Sequence, residues 1–137
     1  MVPGGITSLI RDEDARRGTE FLENVDLDQY LGKLASRAEF VSDSFGGRCR
    51  GFVAYYCNAL ESRQAFITLV LVDPQNPGSG LGRALVACVL DVVRRRGFTT
   101  CRLEVSIRNP VAYSTYLSPG FRPLEDRGGK SLMKIRR

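Results

Sequence analysis

The sequence contains no histidine, so the one side chain that ordinarily titrates near neutral pH is missing. Any proton transfer must run through Glu, Asp, Tyr, Cys, Lys or water. The four cysteines, Cys49, Cys57, Cys88 and Cys101, are scattered without a C-x-x-C pair. With no histidine to complete a zinc site they read as buried free thiols of a reducing compartment, and no metal is expected. No run approaches the roughly 18 apolar residues that a transmembrane helix needs, and the stretch from Met1 to Ile10 lacks a signal-peptide layout. A cytoplasmic location without membrane contact is the expectation.

What remains has the composition of a folded protein. The 137 residues suffice for one domain spanning the whole chain, and 43% hydrophobic with 26% charged residues separates it from disordered, collagen-like and coiled-coil sequences. A net charge of +5 is dispersed, without interleaved aromatic and basic residues, so nucleic acid is not expected as a partner. The positive balance suits attraction of a polyanionic small molecule.

Periodicity divides the chain into alternating elements. Polar-rich helical patterns run from Asp12 to Leu22 and from Asp26 to Ala38, where Leu27, Tyr30, Leu31 and Leu34 share a face. Glu39 to Ser44 and Gly51 to Cys57 read as strands around a turn over Phe45 to Arg50 that contains Gly46-Gly47. Ala65 to Val72 is an almost unbroken Ile/Val/Leu run, the composition of a central strand buried on both faces. A turn with Gly78, Gly80 and Gly82 follows, and then an amphipathic helix carrying Leu81, Leu85, Cys88, Val89 and Val92. Arg94, Arg95 and Arg96 complement the negative end of that helix, and Gly97 is placed as its C-terminal cap. Thr99 to Ile107 reads as a strand. Asn109 and Pro110 start a short helix that Pro119-Gly120 stops, and Phe121 to Asp126 with Ser131 to Ile135 form a closing hairpin with a loop longer than the tightest type. The fold class is α/β in the α+β sense: one mixed, mostly antiparallel twisted sheet flanked by helices.

The Gly-rich turn is the feature with chemical content, because glycines let backbone N–H groups approach an anion at the positive end of a helix. It is not a Walker A loop, since Arg83 and Ala84 stand where Lys and Ser or Thr are required. It is not a dinucleotide fingerprint either, because its glycines keep a spacing of two. Simple strand-to-helix geometry would explain the glycines about as well as ligand binding.

A second motif alters that balance. Val72-Asp-Pro-Gln-Asn-Pro-Gly-Ser-Gly-Leu-Gly-Arg-Ala-Leu85 resembles the V-x-P-x-x-[QR]-x-x-G-x-[GA] motif of the GCN5-related N-acetyltransferase family. Downstream, Leu103 to Phe121 resembles its L-x-V-x-x-x-N-x-x-A-x-x-x-Y-x-x-x-G-F signature, and the two occur in family order and spacing. The resemblance covers roughly residues 65–122. It implies the acyl-CoA N-acyltransferase fold, with acetyl-CoA as acyl donor in a cleft where two central strands diverge, and a primary amine as acceptor. Gly78, Ser79, Gly80, Leu81, Gly82 and Arg83 would hold the pyrophosphate, the backbone of Val70, Leu71 and Val72 the pantetheine arm and thioester, and Asn109 a further cofactor contact beside its role as helix cap. Pro77 stands where the family usually has Gln or Arg, which removes one side-chain and one backbone donor.

By the same resemblance Tyr116 is the general acid toward the departing thiolate. A phenol with a reference pKa of about 10 is protonated at neutral pH and able to donate. Glu104 is the candidate base, its spacing to Asn109 being similar to that of the ribosomal-protein alanine acetyltransferases; a solvated strand face explains it equally. Tyr113 reads as packing or substrate wall, and Glu61 and Asp43 stand in no motif. A small-molecule amine is the expected acceptor. A protein amino terminus or lysine, or a non-catalytic acyl-CoA-binding module, are the alternatives, and a homodimer is left open.

Overall fold

In the computed structural model, residues 3–17, 26–59, 61–75, 80–106 and 109–136 are described. Helix α1 (Gly4–Arg17) begins eight residues before the expected Asp12, and the expected end at Leu22 lies outside the described residues. Its true period is set by Ile6, Leu9, Ile10 and Glu13, spaced i, i+3, i+4 and i+7 and all buried. Helix α2 (Leu27–Arg37) starts where Asp26 accepts a hydrogen bond from the Gln29 N–H at 3.1 Å, and it buries Leu34 completely.

A hairpin follows, β1 (Glu39–Phe45) and β2 (Arg48–Ala59). Its turn is shorter than expected: Gly46 and Gly47 alone connect Phe45 to its partner Arg48, with φ of 60° and 77°. Two successive positive φ angles match the strand twist in a two-residue hairpin and are open to glycine at little cost. Next come β3 (Gln64–Val72), α3 (Leu81–Arg95), β4 (Thr100–Ser106), α4 (Pro110–Leu117), β5 (Arg122–Arg127) and β6 (Lys130–Arg136). The β5–β6 connection also corrects an expectation, being the tightest type, with Gly128 and Gly129 at positive φ between the paired Arg127 and Lys130. Three cysteines are buried as expected, but Cys88 is exposed on α3, whose buried stripe is Leu85, Val86, Val89, Leu90 and Val93.

The strands form one sheet in the order β1-β2-β3-β4-β6-β5, antiparallel except for β3 and β4. Two cores cover its faces. Helices α3 and α4 pack Val86, Val89, Val93 and Tyr116 against Val53, Ile67, Leu103 and Met133, while α1 and α2 pack Ile10 and Leu34 against Phe52, Ala54 and Leu71. Strand β3 therefore serves both, as its apolar run requires. A bulge sits at Thr68, because Tyr55 pairs with Ile67 whereas Ala54 pairs with Leu69. It reverses the alternation: Ala65 and Ile67 face α3, and beyond it Leu69 and Leu71 face α1.

Gly51 fits the start of α3 onto the sheet. A Cβ there would lie 3.1 Å from the Leu71 carbonyl oxygen, 3.1 Å from Leu81 Cδ2 and 3.3 Å from Leu85 Cδ1. Since the first neighbour is backbone, Gly51→Ala is expected to destabilise by about 1–3 kcal/mol, read from the urea midpoint at constant slope. No described helix is long and apolar enough to cross a membrane.

Candidate active site

The parallel pair is short. Gln64, Ala65, Phe66 and Ile67 pair with Thr100, Cys101, Arg102 and Leu103, and no pairing between the two strands continues beyond Ile67 and Leu103. Val70, Leu71 and Val72 remain paired to Val53, Phe52 and Gly51 on their other side. The chain thus opens a gap in the middle of its sheet, bordered by strand backbone, immediately after the Thr68 bulge.

Strand β3 leads into the turn through Asp73. Its N–H donates to the Arg50 carbonyl at 2.7 Å, its Oδ1 accepts from the Gln75 N–H at 3.0 Å, and its Oδ2 meets the Arg48 guanidinium at 2.8 Å. Pro77, Gly78 and Ser79 lie outside the described residues. Gly80 caps α3 with φ 71° and ψ 12°, a left-handed conformation that favours glycine, and it brings no side chain of its own to the helix N-terminus. At Gly82 the constraint is different: a Cβ would meet Val72 Cγ2 at 3.6 Å, an ordinary contact. Packing does not demand glycine there, although glycine in a helix costs about 1 kcal/mol relative to alanine. The N-terminus of α3 presents its positive end beside the exposed Arg83.

Helix α4 stands opposite. Asn109 caps it, its Oδ1 accepting from the Ala112 N–H at 3.1 Å, while its side-chain nitrogen has no partner among the described residues. Arg83, Pro110, Ser114 and Thr115 line an open depression of about 420 Å³ between α3 and α4. Tyr116, on the inward side of α4, is 8% exposed and meets Phe121 edge-on, with ring centroids 6.2 Å apart. Tyr113 is half-buried against the same core, as expected.

Glu104 is on the other side of the sheet. Leu103 and Val105 enter the core with Tyr116, so the alternation of β4 turns the exposed Glu104 toward the α1 and α2 side. The two sequence-predicted catalytic side chains are therefore not neighbours; they belong to opposite faces of the sheet. Thr68 escaped sequence reading. Its hydroxyl is 3.0 Å from that of Tyr30, and no local signal marks the bulge that places it.

Burial pushes the phenols of Tyr30 and Tyr116 up to about 12. Both folded values lie above the unfolded one, so their contribution is fully present below about pH 10 and lost as pH rises toward 12. Stability is expected to fall by roughly 2–3 kcal/mol per tyrosine across that window, measured by denaturant titration at stepped pH. Tyr116→Phe is expected to flatten part of that fall.

The acetyltransferase (GNAT) family model matches residues 7–121. This chain belongs to that family. Among curated relatives of this GNAT chain, it is 40% identical over 58 residues to the ribosomal protein bS18-alanine N-acetyltransferase of Escherichia coli, covering 42% of the chain and 39% of the relative. It is 35% identical over 102 residues to an uncharacterized N-acetyltransferase of Methanocaldococcus jannaschii, covering 70% of the chain and 45% of the relative. Both matches thus span less than half of the relative's length. The crystal structure of the E. coli ribosomal-protein-S18-alanine enzyme superposes with a TM-score of 0.77 at 20% identity, covering 98% of this chain and 90% of that one. The PaiA N-acetyltransferase of Thermoplasma acidophilum, solved in complex with coenzyme A, superposes with a TM-score of 0.68 at 20% identity, covering 100% and 80%. At 20% identity these superpositions establish that the six-stranded sheet and its four helices have the GNAT fold.

Proposed function

We propose that this chain transfers an acetyl group from acetyl-CoA to a primary amine by direct attack. The observation that carries the reading is the gap between β3 and β4, where the parallel pairing stops at Ile67 and Leu103, followed in the chain by the Gly-rich turn and the N-terminus of α3. The residues present fit a coenzyme A thioester. Gly80, Gly82 and Arg83, with Gly78, Ser79 and Leu81 of the same turn, would hold the pyrophosphate. The unpaired edge of β3 at Val70, Leu71 and Val72 would take the amide-bearing arm, and the free side-chain nitrogen of Asn109 would add a donor.

In the reaction the amine nitrogen bonds to the acyl carbon and the carbon–sulfur bond breaks. Backbone N–H groups of β3 at the gap stabilise the oxyanion, the Tyr116 phenol protonates the leaving thiolate, and Glu104, directly or through water, takes the proton lost by the amine. The opposite placement of the two groups supports this division, because the amine enters from the face that the thiol does not occupy. A small-molecule amine remains the preferred acceptor.

The test is coenzyme A release from acetyl-CoA with pooled amines, followed by identification of the acylated product. Turnover with one product class supports the reading. Tight binding of coenzyme A without transfer to any amine, small or peptidic, would leave only a binding module.

A further inference from the structure

Strand β4 carries a second unexplained residue on the face that bears Glu104. Arg102 pairs in register with Phe66 of β3 on one side and Lys134 of β6 on the other, and Phe66 pairs with Tyr56 of β2. In-register partners share a sheet face, and Lys134 lies between Met133 and Ile135, both of which enter the opposite core. One row of side chains therefore crosses four strands: Tyr56, Phe66, Arg102, Lys134.

Two cations directly opposite each other repel, and neither has an ion-pair partner among the described residues. The Arg102 Nε is buried with no hydrogen-bond partner among the described residues. A merely solvated cation would leave that nitrogen to water. Nearby acids do not relieve the pair: Glu104 stands opposite Leu132, and Glu125 is engaged by Arg127 at 2.5 Å. Arg122, the β5 partner of Lys134, turns back to the carbonyls of Leu117 and Phe121.

The position of the row gives it meaning. On this face Arg102 is the last β4 residue before the strands part, and Glu104 is the first beyond. We propose that the acceptor carries an anionic group, a carboxylate or a phosphate, held by Arg102 and Lys134, while its amine reaches the gap beside Glu104. This rests on the acetyltransfer reading above and names the acceptor class. A guanidinium fork beside an ammonium matches either anion, and Phe66 stands in register with Arg102 in the same row. Two residues along a strand span about 7 Å. The amine and anion are therefore separated as in a dipeptide or an ω-amino acid, not as in an α-amino acid.

The experiment compares acceptors of matched length in the coenzyme A release assay. Dipeptides and ω-amino acids with free carboxylates, and O-phosphoethanolamine, are set against dipeptide amides and diamines, with coenzyme A binding measured separately by calorimetry. The anionic acceptors are expected to show kcat/KM at least about 10-fold higher, and the carboxylate and phosphate arms identify the source of the anion. Arg102→Gln and Lys134→Gln are each expected to raise KM for anionic acceptors about 10-fold. KM for acetyl-CoA and the turnover number should stay within about twofold, and Arg102→Lys should recover part of the loss. Equal or better turnover of amides and diamines, or variants that leave the discrimination unchanged, overturns the proposal while acetyltransfer stands. Coenzyme A binding with no panel member acetylated also overturns it, and absence of coenzyme A binding removes both readings.

Discussion

Tyr116→Phe is expected to lower kcat by about 10²-fold or more while leaving KM for acetyl-CoA within about twofold. The substitution removes one oxygen from a ring that is 8% exposed and packed edge-on against Phe121, so the core keeps its shape. On the proposed mechanism, what would disappear is the proton for the leaving thiolate. Burial holds the phenol up to about 12, so the hydroxyl keeps its proton at neutral pH. An alkaline fall of activity below about pH 10 would belong to another group. Steady-state rates at saturating acetyl-CoA check the prediction, and a kcat within threefold of wild type would take Tyr116 out of the mechanism.

The second large effect is on stability. Phe121→Ala is expected to cost about 3–5 kcal/mol, because the ring is fully buried and its removal leaves a cavity that the sheet cannot close. Phe121 also places Tyr116: its N–H donates to the Tyr116 carbonyl at 3.1 Å where Pro119 and Gly120 end α4. Activity should therefore fall beyond the loss of folded protein, whereas Phe121→Leu, closer in volume, is expected to cost less than about 2 kcal/mol. Urea unfolding of the three proteins, with activity measured well below each midpoint, separates the effects. A loss below 1 kcal/mol for the alanine variant would contradict the packing described.

Much of the candidate site could be read locally. The apolar run of β3, the glycines after it, the amphipathic stripe of α3 and the Asn109-Pro110 start of α4 all depend on residues within a few positions of one another. The strand, α3 and the start of α4 emerged with the expected type and nearly the expected bounds, whereas Pro77, Gly78 and Ser79 of the turn lie outside the described residues. The misjudged pieces have local reasons too. The start of α1 was masked by its polar residues until burial identified Ile6, Leu9 and Ile10 as its inner stripe, and both glycine-pair hairpins turned more tightly than composition suggested. Cys88 fell outside the buried stripe of α3 because exposed positions of an amphipathic helix tolerate an occasional apolar residue.

The sequence by itself determined which residues were available for chemistry: no histidine, a Gly-rich turn before a helix, a tyrosine and a glutamate at motif spacing. Only the tertiary structure decided where they stand. The parting of β3 from β4, the bulge at Thr68, the placement of Tyr116 and Glu104 on opposite faces and the meeting of Arg102 with Lys134 all follow from register between strands distant in the chain. A one-residue change in pairing would turn every side chain of a strand to the other face. Buried area and inter-strand hydrogen bonding select among those registers, and they exist only once the sheet has assembled.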